Sequence, residues 1–497
     1  MQRKKLTLVI VSLLVVVLSV SLAYFTAQII GEGKTVDVSS ANLQIVFTDG
    51  DGALTETDIE PGWSATKTFT IKNDTKTEYK YNIVIKDLLN TFVTEGYLQY
   101  KITSTNGGYN MTEFKGIPKS SAPKDTILAY SVVIPNGVTQ SYTIEFKYTN
   151  DENIDQSDDM GKQLSGTLFI TEGTELTFLT QLLADKSTRL TRTDFSKVLT
   201  DNNTNTLYTS TEDSKTVYYF AGNATDNWVK FGKNASNQEL YWRIIRTNAD
   251  GGVRLLYHGT STTVEDAYIG TIKFNSTYND AMYVGYMYGT SGSQVNNRTN
   301  TNSSTIKGVI DTWYKDNLNS NYGKYLSATA IYCNDRSVTS GTYSVSSSFG
   351  YSAKTRLDVN KTPTYNCADT NDKFTVDSST GNGKLTYPIA LMTADEVSLA
   401  GGKYGSNAPT WYYYNSANES STGSTWWWVL SPYIWDGSYA HVFGVHGSSW
   451  SGLLNSNLVL DTGGVRPVTS LKSCVKYSSG DGTATNPYTI QETTSGC

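Results

Sequence analysis

Tyr142, Ile144, Phe146 and Tyr148 alternate with Ser141, Thr143, Glu145 and Lys147, and an alternation of period two describes a half-buried β-strand. Tyr79, Tyr81, Ile83 and Ile85 repeat the pattern against Lys80, Asn82 and Lys86. Between such runs stand turn signals: Asp49-Gly50-Asp51-Gly52, Pro61-Gly62, Asn106-Gly107-Gly108 and Pro135-Asn136-Gly137. Strands separated by turns of this kind predict a mainly β chain, with an antiparallel β-sandwich over Lys34 to Glu172. Its expected interior includes Phe69, Ile71, Tyr81, Ile83, Ile144 and Phe146.

Ahead of the sandwich, Gln2-Arg3-Lys4-Lys5 precedes a nearly unbroken apolar run from Leu6 to Ala23, the pattern of an export signal. Ser21-Leu22-Ala23 favours cleavage before Tyr24. A retained signal-anchor is the alternative, in which case this segment is the only expected membrane contact. A chain of 497 residues predicts two or three domains at about 150 residues each. With 40 Lys+Arg against 46 Asp+Glu and no basic stripe, nucleic acid is not an expected partner. The 35 Tyr, 10 Trp and 41 Gly suit strands, turns and amphipathic aromatic surfaces. Four cysteines lie in the C-terminal third without any C-x-x-C pair. In an exported chain they predict disulfides rather than zinc. Of three formal pairings, nearest neighbours are expected, Cys333 with Cys367 and Cys474 with Cys497.

Ala23-Tyr24-Phe25-Thr26 after the apolar run, Pro61-Gly62-Trp63 before Thr68-Phe69-Thr70-Ile71-Lys72-Asn73, and Gly161-Lys162-Gln163-Leu164-Ser165-Gly166-Thr167-Leu168 together resemble the TasA/camelysin family. The resemblance covers roughly Met1 to Glu172. It implies an exported Gram-positive protein with a jelly-roll-like sandwich, and some members of the family assemble into biofilm fibres. Some members were classed as metallopeptidases, but this chain has no His-Glu-x-x-His, and His258, His441 and His446 all lie outside the domain. Peptidase activity is therefore not carried over.

Beyond Glu172, residues 173–216 predict a helix at Leu176 to Asp185 and a polar linker at Thr200 to Lys215. Further short strands are expected at Val217-Tyr218-Tyr219-Phe220, Tyr241-Trp242-Arg243-Ile244-Ile245-Arg246 and Val253-Arg254-Leu255-Leu256-Tyr257. Ser304 to Leu318 has helical spacing with a serine cap, and a second helix fits from Thr393. Tyr241-Trp242-Arg243-Ile244-Ile245-Arg246, Leu385-Thr386-Tyr387-Pro388-Ile389, the Ser431-Pro432 turn and Gly464-Val465-Arg466-Pro467 resemble a C-terminal module of Gram-positive surface proteins over 217–473. That module is distantly similar to C-type-lectin-like and formylglycine-generating-enzyme-like folds, which implies an α+β domain. Residues 474–497 resemble a common end-piece closed by a disulfide.

No catalytic constellation is visible, and no cofactor or metal site is expected. The copper chemistry of the formylglycine-generating enzymes needs two close thiols, which these cysteines do not offer. His441 and His446 are separated by an odd interval and should face opposite sides of a strand. Asp49 and Asp51 resemble a calcium loop only until Ala53 and Leu54, where an oxygen ligand and a glycine are required. Arg466 is expected to hold a carboxylate or carbonyl inside the fold. At least one of Trp426, Trp427 and Trp428 should be core. In Tyr439-Ala440-His441-Val442-Phe443 the small residues share one face and the rings the other. This predicts a ligand-binding aromatic patch of Tyr433, Trp435, Asp436, Tyr439, His441, Phe443 and Trp450. Its position is similar to that of the variable residues of lectin-fold proteins rewritten by diversity-generating retroelements. The expected protein is not an enzyme. It is a secreted or cell-surface adhesion protein that takes a glycan or protein ligand on host, neighbouring cells or matrix, and it can self-associate through the sandwich. The alternatives are a structural biofilm-fibre subunit or an enzyme acting on polysaccharide or wall.

Overall fold

The computed structural model describes residues 25–30, 35–39, 44–49, 54–94, 96–173, 176–186, 188–263, 267–411, 414–415, 426–447 and 450–497, with side chains described from Ile59 onward except at 410, 414 and 415. The expected export segment and the Asp51 half of the calcium-like loop lie outside the described residues. Asp49 ends the strand Gln44–Asp49. The chain divides into two compact units, Met1–Leu176 and Thr177–Cys497. Among the described residues no helix is long and apolar enough to cross a membrane.

The first unit is built from two sheets. One runs Leu54–Ile59, Phe25–Ile30, Gln163–Glu172, Tyr79–Asn90, Ser120–Ile134, with only the Phe25–Ile30 and Gln163–Glu172 pair parallel. The other is antiparallel throughout: Thr35–Ser39, Gln44–Asp49, Ser64–Lys72, Thr139–Tyr148, Leu98–Ser104, Lys115–Gly116. Both give their inward residues to one core, in which Phe69, Ile71, Tyr81, Ile83, Ile144 and Phe146 are all buried. The alternation is strict in Thr139–Tyr148, whose outer face meets solvent. It breaks in Tyr79–Asn90, where Asn82 and Val84 are buried as well. Asn82 is satisfied there by donating to the Glu172 carbonyl at 2.9 Å and accepting from Ser131 N at 2.9 Å, as a buried amide must be.

The second unit contains a ten-stranded and a seven-stranded sheet. At its start, helix Phe178–Asp185 is capped by Thr177, which accepts from Thr180 N. Phe178 and Leu182 enter the same core as Tyr488 and Ile490 near the C-terminus. Helix Thr305–Asn317 begins on Ser304, one of the two serines, Ser303 and Ser304, expected to cap it, and buries Ile306, Ile310 and Tyr314. Helix Ala394–Ala400 starts in a capping box, the Thr393 side chain accepting from Glu396 N while Glu396 accepts from Thr393 N. Both disulfides join nearest neighbours, Cys333 with Cys367 and Cys474 with Cys497, which fits an oxidising compartment.

The stretch predicted to be a linker, Thr200 to Lys215, is not one. Thr206–Glu212 pairs with Lys215–Tyr219 across a two-residue turn, with Asp213 at φ 48° and Ser214 at φ 65°. Positive φ at both turn positions matches the right-handed twist of a hairpin. Composition conceals the strand because its charged end, Glu212, is neutralised by Arg246 far along the chain.

Candidate functional site

The expected patch lies on the hairpin of Trp427–Trp435 and Ala440–Val445. Its tip is a tight turn. Asp436 Oδ1 accepts from Ser438 N at 2.8 Å and Tyr439 N at 2.7 Å, and Gly437 sits at φ 98°, a conformation glycine adopts at little cost. Asp436 Oδ2 meets His441 Nε2 at 2.9 Å. Partial burial pushes the Asp436 carboxyl up, but the His441 contact and the two backbone N–H groups outweigh it and hold the carboxyl below its ordinary range.

Beside this pair, Tyr439 stacks on Tyr278 with ring centroids 5.2 Å apart and planes 12° from parallel. Each tyrosine keeps 38% of its surface exposed. The Ala440 N–H donates to the Tyr278 carbonyl at 3.0 Å, which ties the upstream loop to the hairpin. The result is a rigid aromatic platform edged by a carboxylate and an imidazole. Nothing in the local sequence announces Tyr278, because its contact with Tyr439 is purely tertiary.

Several residues expected to face solvent do not. Phe443 is fully buried, Trp435 is 1% exposed and Tyr433 is 8% exposed. Phe443 packs edge-on against Tyr433 and Tyr404 at 5.0 and 5.9 Å, and Tyr433 shares a hydrogen bond with Tyr404 at 2.6 Å. The cause is that Trp427–Trp435 is an interior strand, paired to Phe349–Tyr351, Ala440–Val445 and Thr462–Gly464, with both faces covered. Where both faces are dry, alternation no longer separates inside from outside. Trp450 is 60% exposed, yet it lies past the end of Ala440–Val445 opposite Tyr439. Six residues at about 3.3 Å each put roughly 20 Å of strand between them, so Trp450 is not part of the platform.

At that far end, Trp426 is half-buried, stacks on His446 at 5.6 Å, and lies over Gly444 and Gly463. A Cβ at Gly463 would stand 2.7 Å from the Trp426 ring, and one at Gly444 would stand 3.0 Å from it. Gly463→Ala is therefore expected to displace the indole and lower stability by about 1–3 kcal/mol; a urea midpoint equal to that of the natural chain would rule out this packing. Trp427 and Trp428 are core, with Trp428 Nε1 donating to the Ile272 carbonyl at 2.9 Å. Arg466 is buried against the Trp427 ring at 4.9 Å and donates to the Tyr257 carbonyl at 3.3 Å.

Sequence reasoning missed a second feature, a buried lattice of charge. Glu396 Oε1 accepts from Arg246 at 2.9 Å and Arg254 at 2.7 Å, and Arg246 also reaches Glu212 at 2.8 Å. Nearby, Arg356 bridges Asp335 at 2.7 Å and Asp395 at 2.8 Å. All of these but Glu212 line a cavity of about 20 Å³, room for about one water molecule. The available signal was the placing of Arg243, Arg246 and Arg254 inside apolar strands, which demands buried partners. No imidazole lines this cavity, and it is far smaller than the several hundred Å³ typical of a small-molecule site. Among the described residues no group of three or more His, Cys, Asp or Glu could hold a metal ion.

No protein-family model matches the chain. No curated protein and no solved structure is significantly similar to it.

Proposed function

We propose that the protein is exported and acts outside the cell as an adhesion or matrix-binding protein, with a TasA/camelysin-like sandwich carrying a C-type-lectin-like module that binds a glycan or protein ligand. The observation that carries this reading is the exposed Tyr278–Tyr439 stack beside the Asp436–His441 pair. Large rings held rigidly in solvent lose little conformational entropy on binding, and they offer both an apolar face and a polar edge. Of the sequence-derived patch, Asp436, Tyr439 and His441 form the contact surface, with Tyr278 added. Tyr433, Trp435 and Phe443 support it from the core.

Capture of immobilised glycans and extracellular matrix proteins by the full chain tests the proposal. Tyr278→Ala with Tyr439→Ala is expected to reduce capture at least tenfold, about 1.4 kcal/mol. The melting temperature should stay nearly constant, as for exposed substitutions. Undiminished capture by the double variant would move the ligand elsewhere, and loss of cooperative melting would make the rings structural.

A further inference from the structure

Where the second unit buries charge it mostly uses arginine: Arg246, Arg254 and Arg336 all pair with carboxylates. Two buried lysines depart from this. Lys307 pairs with Asp311 one turn along its own helix, and Asp311 is 20% exposed. Lys186 pairs instead with Asp226, 40 positions away, at 2.8 Å, with side chains only 4% and 8% exposed.

A buried ammonium–carboxylate pair is tolerable only when its remaining protons and lone pairs are satisfied. This one is not. Asp226 Oδ2 accepts from Lys186 Nζ and also from Asn205 N at 2.7 Å. Asp226 Oδ1 is buried with no hydrogen-bond partner among the described residues. Lys186 Nζ has one further acceptor, the Asp481 carbonyl at 3.0 Å, and the Tyr488 ring centroid lies 5.2 Å away.

We propose that Lys186 and Asp226 condense into an intramolecular isopeptide bond. One proton passes from Nζ to Oδ1, and the neutral amine attacks Cγ. The Cγ–Oδ1 bond then breaks as a second Nζ proton joins the departing hydroxyl, so that an N–Cγ amide forms and one water leaves. No oxidant or co-reactant enters. Holding amine and carboxyl in contact in a water-poor site supplies the high effective concentration such a step needs. The product satisfies every polar atom that the ion pair does not. The orphaned oxygen leaves as water, Oδ2 remains as the amide carbonyl on the Asn205 N–H, and the single remaining N–H points to the Asp481 carbonyl. Arginine forms no such bond, which gives the lysine at this position a chemical reason. The bond ties the residue just after helix Phe178–Asp185 to a residue two positions before strand Trp228–Lys233, a closure that reduction does not open.

Tryptic mapping of the reduced, denatured full chain by tandem mass spectrometry tests this. The expected result is a branched peptide joining Lys186 to Asp226, lighter than the two linear peptides by one water, about 18 Da. Lys186→Arg should abolish it. Separate linear peptides from the natural chain, with Lys186 open to an amine-labelling reagent after denaturation, would overturn the proposal whether or not the Lys186→Arg variant folds.

Discussion

Glu396→Ala is expected to remove at least 3–5 kcal/mol from the second unit, the range for breaking a buried ion pair by deleting one partner, and so to leave it largely unfolded at ordinary temperature. The effect is large because one carboxylate serves three donors: Arg246 Nε, Arg254 Nη1 and the Thr393 N–H of its own helix cap. Burial pushes the Glu396 carboxyl up, but Arg254 and Arg246 outweigh it and hold the group ionised. Alanine would leave two guanidiniums in a dry site with less than their counter-charge, and would open the capping box as well. Nine of the ten tryptophans, all but Trp63, lie in this unit, so urea unfolding followed by tryptophan fluorescence reports on it directly. Glu396→Gln keeps a side-chain oxygen for the cap and should fall between the two. A midpoint for Glu396→Ala that implies less than about 1 kcal/mol would mean that the lattice does not hold the unit together.

Glu396 also marks how far the sequence could be followed. Its place in the first turn of a helix was legible from Thr393 and the spacing of the cap, as the serine pair Ser303-Ser304 announced the helix that follows it. Those signals are local and depend on backbone groups that every helix leaves unpaired. That Glu396 meets Arg246 and Arg254, on strands some 150 positions earlier, was not legible, because nothing nearby in sequence distinguishes it from a solvated acid. The same division runs through the sheets. Thr139–Tyr148 could be read residue by residue because one of its faces is wet. Trp427–Trp435 could not, since strands flank it and its run of buried side chains has no period. The candidate site inherits that failure. Asp436, Tyr439 and His441 lie at or beside a turn, where polarity and exposure coincide, and their place at the surface was legible, whereas the contact between Asp436 and His441 was not. Phe443 sits four residues beyond the turn, inside the sheet, where a ring pointing away from Ala440 and Val442 still meets other rings rather than water.

Acidification from pH 7 to about 5 should weaken the second unit by about 2 kcal/mol through His258 alone. The side chain is fully buried in Val253–Gly259, edge-on to Trp228 at 4.4 Å, and neither ring nitrogen has a hydrogen-bond partner among the described residues. Burial first, then the nearby Arg466 and Arg243 guanidiniums, lower its pKa well below 6.5, so the folded protein keeps it neutral. In the unfolded chain the imidazole takes a proton near 6.5. Below that value the unfolded state binds one proton more, and stability falls with decreasing pH at about 1.4 kcal/mol per unit until the folded group protonates. Above it the contribution is flat. His446, also lowered by burial, adds to the loss in the same direction. Asp311 and Asp372, whose carboxyls burial raises, oppose it. The difference between the natural chain and His258→Gln cancels those terms. Urea unfolding at pH 7 and pH 5 should show the variant losing about 2 kcal/mol less than the natural chain over that interval. Parallel losses in the two proteins would mean that His258 accepts its proton in the folded state, which requires a partner for one of its ring nitrogens.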